Sequence, residues 1–314
     1  MMLFDVEQKH WIPELLESCH LTAEQLADPV PAGTLLGKIR PELAAELHLS
    51  PDCQVVCGAH DQQCCAFSVG AGSGCVMDSL GTTESLFCVT PRYAYNDTIL
   101  NSGIPCDAYI QPGHYAYLAF TSTCGQAVDW YQKGILNGVY SHQTLTEGCT
   151  DRPTGIYLVP HWAGSGTPLL NEHAQGMIFG LNSSVDRSAL YQAFLEGTAY
   201  EARMNTELLR QCGMELNEYR LVGGGSSSEL WLKIKANVYN APVTVMESAE
   251  GGTLGAAMLA ACGVGDLDLF HPTWAHVRRV YEPDAQLQSL YEEAFARYKT
   301  IYNHLEVLNH ELFV

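Results

Sequence analysis

Basic residues are scarce in this sequence of 314 residues, in which 16 Lys and Arg stand against 35 Asp and Glu, for a formal charge of -19. A surface this acidic repels nucleic acid and anionic membranes at long range, so we expect neither as a partner. The acidity does not exclude a phosphorylated ligand, because backbone amides, helix N-termini and Mg²⁺ hold phosphate without a basic patch.

Long hydrophobic runs are missing too: no stretch reaches the roughly 18 to 20 apolar residues that a membrane span needs. The twelve cysteines form no CxxC pair, which argues against a zinc site. They are scattered over a large chain, several lie inside apolar runs, and no secretory signal precedes them, so we expect a reducing cytoplasm.

An apolar run ends in a carboxylate at residues 55–61 (VVCGAHD). This pattern predicts a buried strand that delivers Asp61 at its C-terminal end, where open α/β sheets bind ligands. Residues 62–70 favour a short helix after it. Asp61 is therefore the first catalytic candidate, with a helix N-cap as the alternative role.

Two apolar segments flank Gly81, Thr82 and Thr83 within residues 75–89. The pattern predicts a β-hairpin whose tip exposes backbone N–H groups and two hydroxyls, an arrangement that can hold phosphate oxygens. An ordinary turn is the alternative.

A second glycine-rich turn, residues 223–228 (GGGSSS), follows a predicted strand at 219–222 and precedes a predicted helix at 229–239. Such a turn lets the polar end of a ligand approach amides at a helix N-terminus. It matches neither GxxxxGK[ST] nor GxGxxG, which argues against a P-loop and a dinucleotide-binding Rossmann unit. The polar stretches 92–107 and 141–153 indicate loops.

In order along the chain, these motifs resemble those of the FGGY family of carbohydrate kinases. The resemblance rests on residues 58–61, 81–83, 160–168, 223–231 and 250–257. It implies an α/β fold of the actin-like, hexokinase-like and Hsp70-like ATPase type, a ribonuclease H-like mixed sheet flanked by helices. The family's N-terminal Asp-x-Gly-Thr-Thr/Ser hairpin is not found, so we expect residues 1–66 to be the tail of an N-terminal lobe and 67–314 the C-terminal nucleotide-binding lobe of a truncated member.

This resemblance implies an ATP-dependent sugar or polyol kinase that uses ATP and Mg²⁺. From the residues themselves we expect no metal site formed by the protein alone. Asp61 would be the general base for the sugar hydroxyl, and His60 would lie near the substrate. The residues implied to contact the nucleotide are Gly81, Thr82, Thr83, Gly125, Asp129, Gly224, Gly225 and Glu229. Glu229 stands where some relatives contact adenine with Asn, which is a departure.

Because the lobe that recognises the sugar is expected to be missing, we expect little activity from this chain alone and self-association, with a homodimer as one form. Two other hypotheses stay open. One is a non-catalytic actin-like nucleotide-binding remnant, and the other is a metal-dependent hydrolase built on His60, Asp61 and His161, although His161 fits a structural loop residue better.

Overall fold

The computed structural model describes residues 3–248, 250–269, 274 and 276–313. The first two residues of the predicted segment 1–66 lie outside this range. The strands, in chain order, are β1 (Phe4–Asp5), β2 (His10–Trp11), β3 (Leu35–Lys38), β4 (Gln54–Val56), β5 (Gly74–Leu80), β6 (Glu84–Thr90), β7 (Cys106–Ala108), β8 (Tyr115–Thr121), β9 (Tyr157–Val159), β10 (Met177–Phe179), β11 (Leu216–Val222), β12 (Val243–Met246) and β13 (Val277–Tyr281).

The helices, in the same order, are α1 (Pro13–Ser18), α2 (Pro41–Glu46), α3 (Asp61–Ser68), α4 (Asp97–Ser102), α5 (Gly125–Asp129), α6 (His142–Thr146), α7 (Arg187–Gln211), α8 (Glu229–Tyr239), α9 (Gly251–Val264) and α10 (Gln288–Phe313). Two 3₁₀ turns, Ala23–Gln25 and Gly224–Ser227, join them, and α5 continues as a π-helix, Trp130–Ile135. Among the described residues, no helix combines the length and apolar composition of a membrane span.

A seven-stranded sheet within the described residues organises the chain, in the order β13-β12-β11-β5-β6-β8-β7. Strand β11 pairs in parallel with β5 and β12, and the other neighbours in the sheet are antiparallel. The sheet is therefore mixed, as the sequence predicts.

Helices cover both faces of this sheet. Side chains alternate between the two faces along each strand, and apolar side chains on both faces are buried under helices. Val76 on β5 packs into a core formed with α7, α8 and α10, while its neighbour Met77 packs on the opposite side with α3 and α9. Helices α3 and α9 lie very close: a Cβ added at Gly255 would fall 1.8 Å from the carbonyl oxygen of Cys64. The glycine therefore permits the contact between these helices.

Several local predictions are confirmed. Strands β5 and β6 form the predicted antiparallel hairpin, with Leu80 opposite Glu84 across its tip. Helix α8 covers the predicted residues, and the short helix predicted after Asp61 is α3, which begins at Asp61 itself. The sequence also predicts that Asp186 caps a helix over 188–212, and Asp186 does cap α7 by accepting a hydrogen bond from the Ala189 amide at 2.8 Å.

The prediction of a buried strand before Asp61 is wrong. Strand β4 ends at Val56, pairs with β3 in a separate two-stranded sheet, and is exposed along Gln54 and Val55. Three apolar residues are too few to distinguish a core strand from an exposed ribbon. The predicted loops 92–107 and 141–153 are also partly wrong, since they contain α4 and α6.

Candidate functional site

A cavity of about 980 Å³ opens where the tip of the β5–β6 hairpin meets α5, α6 and the start of α8. Its volume is that of a site for a ligand of cofactor size. The predicted nucleotide-contact residues that line it are Gly81, Thr82, Gly125, Asp129, Gly224, Gly225 and Glu229. Segments far apart in sequence thus form one concave surface.

The hairpin tip and the start of α5 are joined through the backbone. The amide of Gly125 donates to the carbonyl of Gly81 at 2.9 Å, and the amide of Cys124 donates to the carbonyl of Thr82 at 2.9 Å. A Cβ added at Gly125 would lie 2.5 Å from the Gly81 oxygen. Only glycine therefore allows this junction without a shift of backbone.

The second glycine turn rests on the end of β5. Gly223 has φ of +90°, a conformation that glycine adopts at little cost, and an added Cβ would lie 2.7 Å from the Leu80 carbonyl oxygen. An added Cβ at Gly225 would lie 2.5 Å from Cγ of Leu80. Ser228 then begins α8 by accepting a hydrogen bond from the Trp231 amide at 3.5 Å. The turn is held against the hairpin strand by close backbone packing.

Two carboxylates lie on the cavity wall. Asp129 accepts from Lys133 Nζ at 2.6 Å and lies 3.7 Å from His142 Nε2. Glu229 pairs with Lys233 at 3.0 Å and Arg279 at 3.2 Å, and the hydrogen bond from Lys233 is the main cause of a pKa below the usual value. Both carboxylates are thus partly neutralised by nearby cations.

Sequence reasoning missed one wall of the cavity. Four residues on or next to α6, together with Tyr191 on α7, line it: His142, Gln143, Thr146 and Glu147. His142 Nδ1 lies 3.1 Å from the Tyr191 hydroxyl, which ties the two helices together. The available signal was Ser141, whose side chain caps α6 by accepting from the Thr144 amide at 3.1 Å.

The described lining of this cavity does not include Asp61, His60 or Thr83. Thr83 is exposed on the hairpin tip. Asp61 is the first residue of α3, with its side chain 77% exposed; its Oδ1 accepts from the Gln62 amide at 2.7 Å and lies 3.2 Å from His60 Nδ1. The position next to a helix N-terminus stabilises the carboxylate, and both side chains are accessible to a ligand.

His161 lies elsewhere, in the core. Its Nε2 is 3.1 Å from Glu201 Oε1, and the other carboxylate oxygen of Glu201 accepts from the Tyr298 hydroxyl at 2.6 Å. Among the described residues no group of three His, Cys, Asp or Glu side chains could hold a metal ion. The hypothesis of a hydrolase metal site therefore finds no support in the described part of the chain.

The fold and the cavity define a class of protein in which glycine-rich turns next to strands of a mixed sheet line a cavity of ligand size. The chain belongs to the FGGY family of carbohydrate kinases: the family's C-terminal domain matches residues 76–264 and its N-terminal domain matches residues 1–68. The predicted actin-like ATPase fold is confirmed.

Relatives of known name are similar along nearly all of the chain. A xylulose kinase of Staphylococcus epidermidis is 25% identical over 325 residues, covering 99% of this chain and 63% of the relative. An L-fuculokinase of Salmonella typhi is 29% identical over 287 residues, covering 89% and 58%. A crystal structure of a xyloylose kinase from Brucella ovis superposes with a TM-score of 0.87 at 30% identity, covering 98% and 63%. The chain thus spans less than two thirds of the length of these relatives.

Proposed function

We propose that the chain acts in the ATP-dependent phosphorylation of a sugar or polyol, transferring the γ-phosphate of ATP to a hydroxyl. The observation that carries this proposal is the cavity, on which seven of the eight residues that the family motifs associate with nucleotide converge. Three of its walls are backbone turns built with glycine, which is how proteins approach phosphates and nucleosides closely.

The nucleotide would lie across this cavity. The N–H groups and hydroxyls of Thr82 and Thr83 would contact phosphate oxygens at the hairpin tip, which the Gly81 amide closes by donating to the Thr83 carbonyl at 3.0 Å. Gly224 and Gly225 would pack against the adenosine, with Glu229 at its rim, and Gly125 and Asp129 would complete the wall. Neutral backbone donors suit this role because they bind a polyanion in a chain of net charge -19.

Asp61 would accept the proton of the attacking hydroxyl. Phosphoryl transfer depends on an oriented nucleophile and on stabilised phosphate charge more than on covalent help from the protein. The exposed carboxylate is free to approach a substrate, and His60, whose Nδ1 is 3.2 Å from Asp61 Oδ1, would orient it. A general base of this kind contributes about 10²- to 10⁴-fold in rate.

Mg²⁺ would be bound chiefly by the nucleotide. The described residues offer no cluster of three metal-ligating side chains, and Mg²⁺ in kinases usually keeps its water and takes phosphate oxygens with one or two carboxylates. The Thr82 hydroxyl is an oxygen donor of the required kind on the cavity wall. The ion would neutralise phosphate charge during transfer.

Nucleotide binding is tested by calorimetry with ADP and with ATP plus Mg²⁺. We expect a Kd near the millimolar range, a free energy of about -4 kcal/mol. Gly225→Val should abolish binding, since an added Cβ already reaches Leu80. Gly72→Ala is the matched control, because a Cβ there has no neighbour within 4 Å. No heat from the unchanged protein would contradict the nucleotide site.

Transfer is tested by coupled ADP release against ketoses, aldoses and polyols, beginning with xylulose and fuculose because of the relatives named above. The assay is run on the 314-residue chain and on any longer form that its gene encodes, each with and without Asp61→Asn. Sugar-dependent turnover that Asp61→Asn removes would support the proposal. Turnover unaffected by Asp61→Asn would contradict the role of the carboxylate, and nucleotide binding without turnover in every form would favour a binding protein.

Three further expectations remain proposals. The division into 1–66 and 67–314 falls within α3. A cytoplasmic location agrees with twelve cysteines that are all free thiols. Homodimer formation would use exposed apolar side chains of the N-terminal segment, such as Leu36 at 57% and Leu47 at 53% exposure.

A further inference from the structure

A cluster of ionisable side chains is buried within the hairpin and the helix whose ends line the candidate nucleotide cavity. Lys235 on α8, Asp78 on β5 and Glu84 at the start of β6 are all fully buried. The ammonium of Lys235 contacts Glu84 Oε1 and lies 3.2 Å from Asp78 Oδ2. The Lys235 ammonium also donates to the Tyr239 hydroxyl at 2.7 Å. Burying such a group is costly, so its contacts need a reason.

The cluster connects the walls of the cavity. Glu84 directly follows Thr83 of the hairpin tip, and Lys235 belongs to the helix that begins after the second glycine turn. Glu84 Oε2 also accepts from the thiol of Cys124 at 3.1 Å, and Cys124 is the residue before Gly125. One ammonium thus links the hairpin, α8 and the start of α5.

The charges of Lys235, Asp78 and Glu84 offset one another, which strengthens the hydrogen bonds of the Lys235 ammonium. Burial, followed by the charge of Glu84, raises the pKa of Asp78 well above its usual value. Burial lowers the pKa of Lys235, but the charges of Asp78 and Glu84 outweigh it and hold that pKa above the usual range. The raised pKa favours a proton on Asp78, and one proton there would make the cluster of one cation and two carboxyl groups electrically neutral. Charge-assisted hydrogen bonds in a dry site are stronger than neutral ones.

We propose that Lys235 is a positioning residue: its contacts with Asp78, Glu84 and Tyr239 hold the hairpin tip and the Cys124–Gly125 backbone in the geometry that binds nucleotide. Lys235 is absent from the described lining of the cavity. The backbone bonds from Cys124 and Gly125 to Thr82 and Gly81 are the structure that it maintains. The binding part of this proposal rests on the proposed function, whereas the local geometry does not.

The test separates positioning from plain stability. Lys235→Met strands a buried carboxylate and should lower the melting temperature, and adding Glu84→Gln removes that carboxylate and should recover much of the loss. The double variant still lacks the ammonium link. The reference is Glu84→Gln alone, which keeps the ammonium but changes the group that accepts from Cys124. Relative to that variant, we expect the double variant to show faster amide hydrogen exchange at Cys124 and Gly125 and a Kd for ADP about tenfold higher.

Arg203→Met is the matched control. Arg203 is also a buried cation, 7% exposed, and binds the Val238 carbonyl and Glu292 at 2.7 Å each. None of these residues lines the cavity. Its loss should lower the melting temperature but leave exchange at Cys124 and Gly125, and the Kd for ADP, unchanged.

Two results would overturn the proposal. One is unchanged amide hydrogen exchange at Cys124 and Gly125 in the double variant once its melting temperature has recovered. The other is an unchanged Kd for ADP in a double variant whose exchange is faster. If the unchanged protein binds no ADP, the proposed function fails, and the role of Lys235 is then judged from amide exchange at Cys124 and Gly125 alone. Faster exchange in the double variant supports a role for Lys235 in holding this backbone, and unchanged exchange overturns that role.

Discussion

The cavity and the segment around Asp61 are built in opposite ways. The cavity is framed by close backbone contacts at Gly125 and Gly223 that only glycine permits. The hairpin and helix around it share the buried cluster of Lys235 with Asp78 and Glu84. Asp61 lies at the start of a short helix, 77% exposed, and follows an exposed two-stranded sheet. The comparison teaches that the proposed nucleotide site is preformed by packing, whereas the proposed base depends on one side chain that little in the described structure confines.

The largest expected effect is that of Asp61→Asn. Turnover in any active form should fall about 10²- to 10⁴-fold, because the amide cannot accept the hydroxyl proton. The melting temperature and the Kd for ADP should stay unchanged, since the side chain is exposed and outside the cavity. Coupled ADP release, scanning calorimetry and titration calorimetry measure the three quantities. A higher Kd for ADP in Asp61→Asn would show that Asp61 contributes to the nucleotide site as well.

A pH effect on stability is expected from Glu196, a buried carboxyl group outside the described lining of the cavity. Glu196 on α7 accepts hydrogen bonds from Thr154 and Gln192, but burial dominates and raises its pKa from 4.5 to about 7. The folded protein therefore holds a proton that the unfolded chain releases. This contribution to the free energy of unfolding is complete below about pH 4.5 and is lost as pH rises through about 7, a change of about 3 kcal/mol.

Denaturant unfolding between pH 4.5 and 8 measures this change, with Glu196→Gln as the comparison. The variant should lack this part of the pH dependence while keeping the other contributions. Parallel pH profiles for the two proteins would show that Glu196 is ionised throughout.

Glycine substitutions sharpen the comparison directly. Gly125→Ala places a Cβ 2.5 Å from the Gly81 oxygen, so the free energy of unfolding should fall by about 1 to 3 kcal/mol and ADP should bind more weakly. Gly58→Ala near Asp61 meets no atom within 4 Å and should change neither quantity. Urea unfolding and titration calorimetry test both. Equal effects would mean that the two regions are equally constrained.

The smallest effect is expected at Asp129. Its ion pair with Lys133 is half-exposed, and such pairs contribute about 0.2 to 1 kcal/mol. Asp129→Asn should therefore change the Kd for ADP by less than about threefold, with a smaller change at high salt. A tenfold change that persists in high salt would show that the cavity depends on this side chain as well as on its backbone.

Sequence reasoning succeeded where local chemistry is decisive. The Gly-Thr-Thr tip between apolar segments predicted the hairpin, and the strand, triple glycine and helix at residues 216–239 were found in that order. It failed at β4, where Val55 is exposed and Val56 only half-buried, and at α6, a capped helix made of mostly polar residues. The Ser141 cap was a local signal, but no local signal indicated that α6 faces the cavity.

By itself the sequence determined the turns, the hairpin and the motif order, because these follow from glycine conformations, hydrophobic alternation and capping, which act between neighbours along the chain. The tertiary structure alone decided which turns meet: Gly125 contacts Gly81, and Gly223 and Gly225 contact Leu80. It also decided that Lys235 of helix α8 contacts carboxyl groups on two strands, Asp78 on β5 and Glu84 on β6. Such contacts depend on close packing across the sheet, and the residues that make them are separated by up to about 160 positions.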